Sequence, residues 1–136
     1  MAFLDSLLND QKKTALLLFL ITAASLFYFS VSFGFHPNND TESYISTIRF
    51  FRGEEMQTYS NRYLNPFYAV LGATLFAWLE PVQAIIVVNL IFCFGLVFVS
   101  YGLVRRVFGN TVGFLTAVAL PLSYPMIRYG LTQVQD

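Results

Sequence analysis

Charged side chains are scarce in this sequence, and their scarcity excludes an ordinary soluble domain. Only 12% of the 136 residues are Asp, Glu, Lys or Arg, whereas a soluble domain carries about 25%. Three uncharged stretches cover residues 14–39, 81–104 and 107–127, and a shorter one covers residues 63–79. Each of the three longer stretches has about 20 residues or more, enough to cross about 30 Å of hydrocarbon as a helix. We therefore expect an integral membrane protein.

Several motifs that carry chemistry in soluble proteins are also missing. The 8 basic and 8 acidic residues cancel and form no basic stripe, so nucleic acid is not an expected partner. The single Cys93 excludes an internal disulfide, and a small packing side chain is its expected role. His36 has no second histidine or cysteine pair beside it, which makes a zinc site a weak hypothesis. The sequence contains no Gly-rich phosphate loop and no nucleophile elbow.

The apolar stretches predict an all-α membrane fold with three spans, at about residues 14–34, 81–104 and 111–130. Lys12 and Lys13 precede the first stretch, which is longer than the 7–15 apolar residues of a signal peptide, so we expect an uncleaved anchor. Pro81 should begin the second span, and Gly109 should make a tight turn before the third. Pro121 and Pro125 should kink the third span.

Two further helices are predicted between the first and second spans, at about residues 42–53 and 65–79. Thr41 can cap the first of them and Gly53 can close it. Apolar residues recur at helical spacing, and Arg49 and Arg52 should lie toward the other side. This pattern is typical of a helix on the membrane face; the apolar residues are Tyr44, Ile45, Ile48 and Phe51. Trp78, near the end of the second helix, suits the interfacial aromatic belt.

Whether the segment before Pro81 crosses the membrane decides between three spans and an alternative of four. Residues 66–79 would make a helix of about 21 Å, shorter than the usual span. With Lys12 and Lys13 in the cytoplasm, three spans return Arg105 and Arg106 to the cytoplasmic side, as the positive-inside rule favours. Three spans also put Asp40 and Asp136 on the same outer side.

The loop after the first span holds the residues best suited to chemistry. Asp40 could act as a general base or a metal ligand, with Glu42 as an acidic partner. The competing interpretation is that both carboxylates only stabilise the start of the helix. Arg49, Arg52 and Arg62 could hold a lipid phosphate, or simply contact headgroups at the membrane surface. Asp136 could equally be a solvated tail residue.

The ordered set of motifs resembles the N-terminal part of the GT-C membrane glycosyltransferases, in particular the dolichyl-phosphate-mannose–protein mannosyltransferase and aminoarabinose transferase superfamily. The matching pieces follow one another along nearly the whole chain: Asp40, Glu42 and Tyr44; Asn65-Pro66-Phe67-Tyr68; Leu103 to Gly109; and Tyr124-Pro125 through Asp136. Two departures from the family pattern are that Thr41 displaces the second acidic residue of the first motif, and that Leu64-Asn65-Pro66 replaces the usual Glu-Lys-Pro.

The resemblance implies a site on the outer or lumenal face that takes a sugar from a polyprenyl-phosphate donor. It implies Asp40 as the catalytic base, with Asp136 at the second acidic position. His36, Tyr44 and Arg62 are the candidates for binding the donor phosphate or the acceptor. The acceptor would be a hydroxyl of a protein, lipid or glycan, and family members often use a divalent metal ion.

Family members have many more spans, so we expect this chain to be the N-terminal module of a longer protein and to be inactive alone. The alternative function is a non-catalytic small membrane scaffold, an accessory subunit or a fragment of a transporter. A transporter would more often show a broken helix with polar groups at mid-membrane depth. Only Asn89 and Ser100 offer such groups in the second span.

Overall fold

The computed structural model describes residues 8, 10–33, 39–54 and 67–123, with the backbone alone at 33, 39–41 and 68. Every regular element in these ranges is helical, which confirms the predicted all-α class for this part of the chain. The elements are α1 (Gln11–Phe33), α2 (Asn39–Phe51), α3 (Phe67–Thr74), α4 (Pro81–Phe108), α5 (Asn110–Ala119) and a 3-10 turn (Leu120–Leu122).

Two of these helices are long and apolar enough to cross a membrane. They are α4 and the Gln11–Ser32 part of α1. Only 22% of the most apolar part of α1 and 33% of that of α4 is buried, whereas a core helix of a soluble protein would be mostly covered. The exposed side chains include Phe27 of α1, at 72%. These two helices therefore present apolar surface that the described part of the chain leaves uncovered.

Helix α1 begins earlier than predicted because Asp10 caps it. The Asp10 Oδ1 accepts the backbone N–H of Lys12 at 3.1 Å and of Lys13 at 3.3 Å. Such a cap satisfies N–H groups that have no partner inside the helix. The first turn thus includes both lysines, and Thr14, the predicted first residue, is already buried within the helix.

Helices α4 and α5 form a hairpin around Gly109. As predicted, Pro81 stands at the first position of α4 and Gly109 separates the two helices. Gly109 has φ +89°, a backbone conformation that residues other than glycine rarely adopt. Helix α5 ends at Ala119, just before the 3-10 turn that contains Pro121. The rest of the predicted span 111–130 lies outside the described residues.

Helices α1, α4 and α5 pack together as one bundle, which we call the α1–α4–α5 bundle. The rings of Phe19 in α1 and Phe94 in α4 stack with centroids 5.0 Å apart. The buried core comprises Leu18, Leu26, Cys93, Val97, Tyr101 and Ala117. Cys93 is thus a buried packing residue, as its expected role requires.

Helices α2 and α3 pack against each other and against the first turns of α4; we call them the α2–α3 unit. Their shared core consists of Ile48, Ala69, Ala73 and Ile85. The helices differ from the predicted 42–53 and 65–79: α2 runs from Asn39 to Phe51, and α3 from Phe67 to Thr74. With 8 residues, α3 is about 12 Å long, too short to cross a membrane by itself.

Two glycines, Gly72 and Gly113, stand where helices pack closely. A Cβ at Gly113 would lie 2.8 Å from the Arg105 Cβ and 2.9 Å from its backbone N, and one at Gly72 would lie 2.9 Å from the Ile48 Cδ1. Gly95 and Gly102, by contrast, have open space where a Cβ would be. Close packing of helices therefore depends on glycine at Gly72 and Gly113 and not at Gly95 or Gly102.

Candidate functional site

The first turn of α2 carries the residues that the sequence singles out for chemistry. The helix begins at Asn39, so Asp40 lies in its first turn, where a carboxylate is favoured by the helix dipole. Thr41 lies inside the helix, not at the capping position predicted for it. Glu42 is exposed. The side chains of residues 39–41 lie outside the described part, so the predicted role of Asp40 stays a prediction.

Tyr44, a predicted binding residue, packs inward. It is partly buried and lies against the core of the α2–α3 unit, beside Ile45. The predicted apolar positions of α2 thus contribute to packing: Ile48 is fully buried, whereas Phe51 at the helix end is exposed. Helix α2 is therefore attached to the protein along one side, and its charged residues Glu42 and Arg49 are exposed.

Hydroxyl side chains also line the buried side of α2. Ser43, Ser46 and Thr47 are buried beside Ile48. The Thr47 hydroxyl donates to the Ser43 carbonyl oxygen at 2.7 Å, which satisfies its polarity within the helix. Because a hydroxyl bonded in this way can be buried at little cost, the contact face of α2 is wider than its apolar residues indicate.

Arg52 has a different place from the one predicted. We expected it on the outer side, near lipid headgroups; instead its side chain is only 10% exposed. Its Nη2 donates to the carbonyl oxygens of Gly72 at 3.2 Å and of Phe76 at 3.0 Å, and its Nη1 lies 3.9 Å from the Glu54 Oε1. Arg52 thus joins the end of α2 to the end of α3. Its guanidinium does not face a lipid phosphate.

The N-terminal end of α1 has a charged cap, the Asp10 carboxylate. The backbone N–H of Lys13, together with the Lys13 Nζ at 3.2 Å, holds the pKa of the Asp10 carboxyl below its ordinary value. Both interactions favour the charged carboxylate. Asp10 is therefore an ionised helix cap on the side of the molecule where Lys12 and Lys13 stand.

The remaining predicted site residues, His36, Arg62 and Asp136, lie outside the described residues. Among residues 10–33, 39–54 and 67–123, no group of three or more His, Cys, Asp or Glu side chains could hold a metal ion. The acidic side chains that the resemblance pairs, those of Asp40 and Asp136, are not among the described ones. The metal expectation therefore stays a prediction.

Sequence reasoning missed the role of Arg52 because its partners are carbonyl oxygens 20 and 24 residues away. One signal was present: Arg52 stands four residues after Ile48, on the same side of the helix.

Comparison with protein-family models, curated proteins and solved structures finds no match to this chain.

Proposed function

We propose that this chain is the N-terminal membrane module of a glycosyltransferase that takes a sugar from a polyprenyl-phosphate donor. The observation that carries the proposal is the docked helix α2. It starts with Asn39 and Asp40, is the next described element after an apolar helix long enough to span, and packs through Ile48 against α3 and α4. The ordered motifs of the resemblance assign the acidic residue of the site to this same first turn.

The proposed topology has three spans, formed by α1, by α4 and by the segment that begins with α5. The N-terminus is cytoplasmic, and α2 and α3 lie on the periplasmic, extracellular or lumenal face. The shortness of α3 supports this arrangement, and so does the packing of α1 into the bundle through Leu18 and Leu26. A cleaved signal peptide would not contribute to the core of the mature protein.

In the proposed reaction, the Asp40 carboxylate takes the proton of the acceptor hydroxyl. The hydroxyl oxygen then attacks the anomeric carbon of the sugar and forms the new glycosidic bond. The bond from that carbon to the phosphate oxygen breaks, and the polyprenyl phosphate leaves with the electron pair. Arg62 is the candidate cation for the phosphate, because a guanidinium can bind it in bidentate fashion. Glu42 and Asp136 are the acidic partners of Asp40. His36 and Tyr44 are further candidates for binding the donor phosphate or the acceptor, and no step is assigned to a metal.

Asp40→Asn tests the proposal in the full-length protein that carries this chain, reconstituted in lipid with a panel of polyprenyl-phosphate sugars. Loss of a general base should lower the transfer rate by about 10²–10⁴-fold. Glu80→Gln is the matched control, because Glu80 is an exposed carboxylate before α4, outside the proposed site. Its rate should stay at the wild-type level.

Unchanged transfer by Asp40→Asn would exclude the base role. Absence of transfer from every donor by the wild-type protein would favour the non-catalytic scaffold or accessory subunit. The transporter alternative has less support, because α4 runs without a break past both Asn89 and Ser100. The unwound segment typical of many transporter sites is thus missing from this helix.

A further inference from the structure

An exposed aromatic patch lies where the α2–α3 unit meets the start of α4. Phe50 and Phe51 end α2, and Leu75 and Trp78 follow α3. All four side chains are exposed, with Trp78 the most exposed of them at 76%. The Phe50 and Phe51 rings lie edge to face with centroids 5.5 Å apart. We call these four residues the corner patch.

Arg52 brings the two halves of the corner patch together. It follows Phe51 directly in the chain, and its Nη2 binds the Phe76 carbonyl oxygen at 3.0 Å. The Phe76 ring in turn lies 5.8 Å from the Trp78 ring, again edge to face. The end of α2 and the turn after α3 therefore form one corner of the molecule, although 24 residues of chain separate Arg52 from Phe76.

The hydrogen bonds from Arg52 also lower the free-energy cost of burying this corner in lipid. Because α3 ends at Thr74, the Gly72 carbonyl would lack a helical donor, and Arg52 supplies one at 3.2 Å. A carbonyl without a donor costs several kcal/mol in a hydrocarbon environment. The guanidinium itself is nearly covered, so the charge that satisfies the helix end is not presented on the surface.

We infer that the corner patch inserts into the interfacial layer of a phospholipid bilayer, between the headgroups and the acyl chains. Trp78 stands three residues before Pro81, the start of a 28-residue apolar helix, so the patch is continuous with a proposed span. Aromatic rings, and Trp above all, favour this layer. The exposed carboxylates Glu54 and Glu80 border the patch along the chain and would stay with the aqueous headgroups.

This inference rests on the proposed membrane topology and not on sugar transfer. If the Asp40→Asn test fails, the corner patch is unaffected. If the corner patch fails, α3 is wrongly placed relative to the bilayer, and the assignment of Asp40 as a base still has its own test.

The sole tryptophan of the sequence makes the test direct, because all Trp fluorescence comes from Trp78. The 136-residue chain is reconstituted in phosphatidylcholine vesicles that carry bromine either near the headgroup end or near the methyl end of the acyl chains. We expect strong quenching by the shallow bromines, weaker quenching by the deep ones and little by acrylamide added to the water.

Two results would overturn the inference. Quenching by acrylamide without quenching by either bromolipid would place the corner in water. Strongest quenching by the deep bromines would place Trp78 at mid-membrane depth, as expected if the segment around α3 crosses the bilayer.

Arg52→Met tests the part assigned to the guanidinium, since it keeps an unbranched apolar stem but removes the charge and the N–H donors. We expect Trp78 emission to shift to longer wavelength and shallow quenching to fall, because the freed Gly72 carbonyl draws the corner toward water, whereas the Phe76 carbonyl keeps the backbone N–H of Leu79 at 3.0 Å. Arg106→Met, at an exposed position in the last turn of α4, far along the chain from the corner patch, should leave both readouts unchanged. Equal effects of the two variants would contradict the role of Arg52. Should Arg52→Met not fold, the wild-type quenching pattern still decides whether the patch inserts.

Discussion

The α1–α4–α5 bundle and the α2–α3 unit differ in the length of their helices and in how the helix ends find hydrogen-bond partners. The core of the bundle is built on Leu18, Val97 and Ala117, which are fully or nearly fully buried, and its helices also bury Thr14, Thr22 and Asn89. The α2–α3 unit is small and buries hydroxyls together with most of the Arg52 guanidinium, alongside a short apolar core. Long helices satisfy most of their own backbone groups, so the bundle needs few side-chain donors at helix ends. The unit consists of short helices whose ends need donors from side chains.

The first prediction contrasts glycines inside the bundle. Gly113→Ala should destabilise the hairpin of α4 and α5 by about 1–3 kcal/mol, the usual cost of overpacking a tight contact. Its Cβ would meet the backbone of Arg105 at 2.9–3.0 Å, and a backbone cannot move aside as a side chain can. Unfolding in mixed micelles with increasing denaturing detergent measures the effect.

Two matched variants sharpen this comparison. Gly95→Ala on the same hairpin has open space for its Cβ and should be neutral or slightly stabilising. Gly72→Ala in the α2–α3 unit meets only the flexible end of Ile48 at 2.9 Å, so its cost should fall between the two. A Gly95→Ala variant as unstable as Gly113→Ala would show that α4 has an unrecognised close neighbour there.

A smaller effect is expected from acidification at the start of α1. Because folding lowers the Asp10 pKa, the carboxylate stabilises the folded state fully above its ordinary value of 3.8, and this contribution disappears as pH falls through the lowered folded pKa. Hydrogen exchange at the Lys12 and Lys13 amides, compared with amides in the middle of α1, should accelerate in that range. Asp10→Asn keeps a capping oxygen and should remove the pH dependence; an unchanged dependence would mean that another group titrates.

The sequence predicts the bundle better than the α2–α3 unit, for a physical reason. Long uncharged stretches, Pro81 and Gly109 set the helices of the bundle by local rules. Gly53 also acts where predicted, closing α2 with φ +76°. The burial of Ser46 and Arg52 depends instead on partners that folding brings close. Local sequence patterns do not identify those partners, so Arg52 was wrongly predicted to lie on the exposed side of the helix, near lipid headgroups.

The candidate site divides in the same way. Sequence pattern predicts a helix at about residues 42–53 on the membrane face; the structure has a helix from Asn39 to Phe51, and its Ile48 packs against α3 and α4. The inward packing of Tyr44 and the length of α3 depend on contacts between elements. The roles of Asp40, Arg62, His36 and Asp136 stay predictions, because they concern side chains beyond those the structure describes.

The relation of the two regions to the bilayer is the central claim, and one labelling experiment tests it directly. In a Cys93→Ala background, Glu54→Cys places a thiol at the end of the α2–α3 unit, and Phe108→Cys places one at the exposed turn of the bundle. A membrane-impermeant maleimide, applied to sealed vesicles of known orientation, should label the two positions from opposite sides, with Phe108→Cys on the side of the N-terminus. Labelling of both from the same side would mean that the segment around α3 crosses the membrane, and would contradict the three-span account.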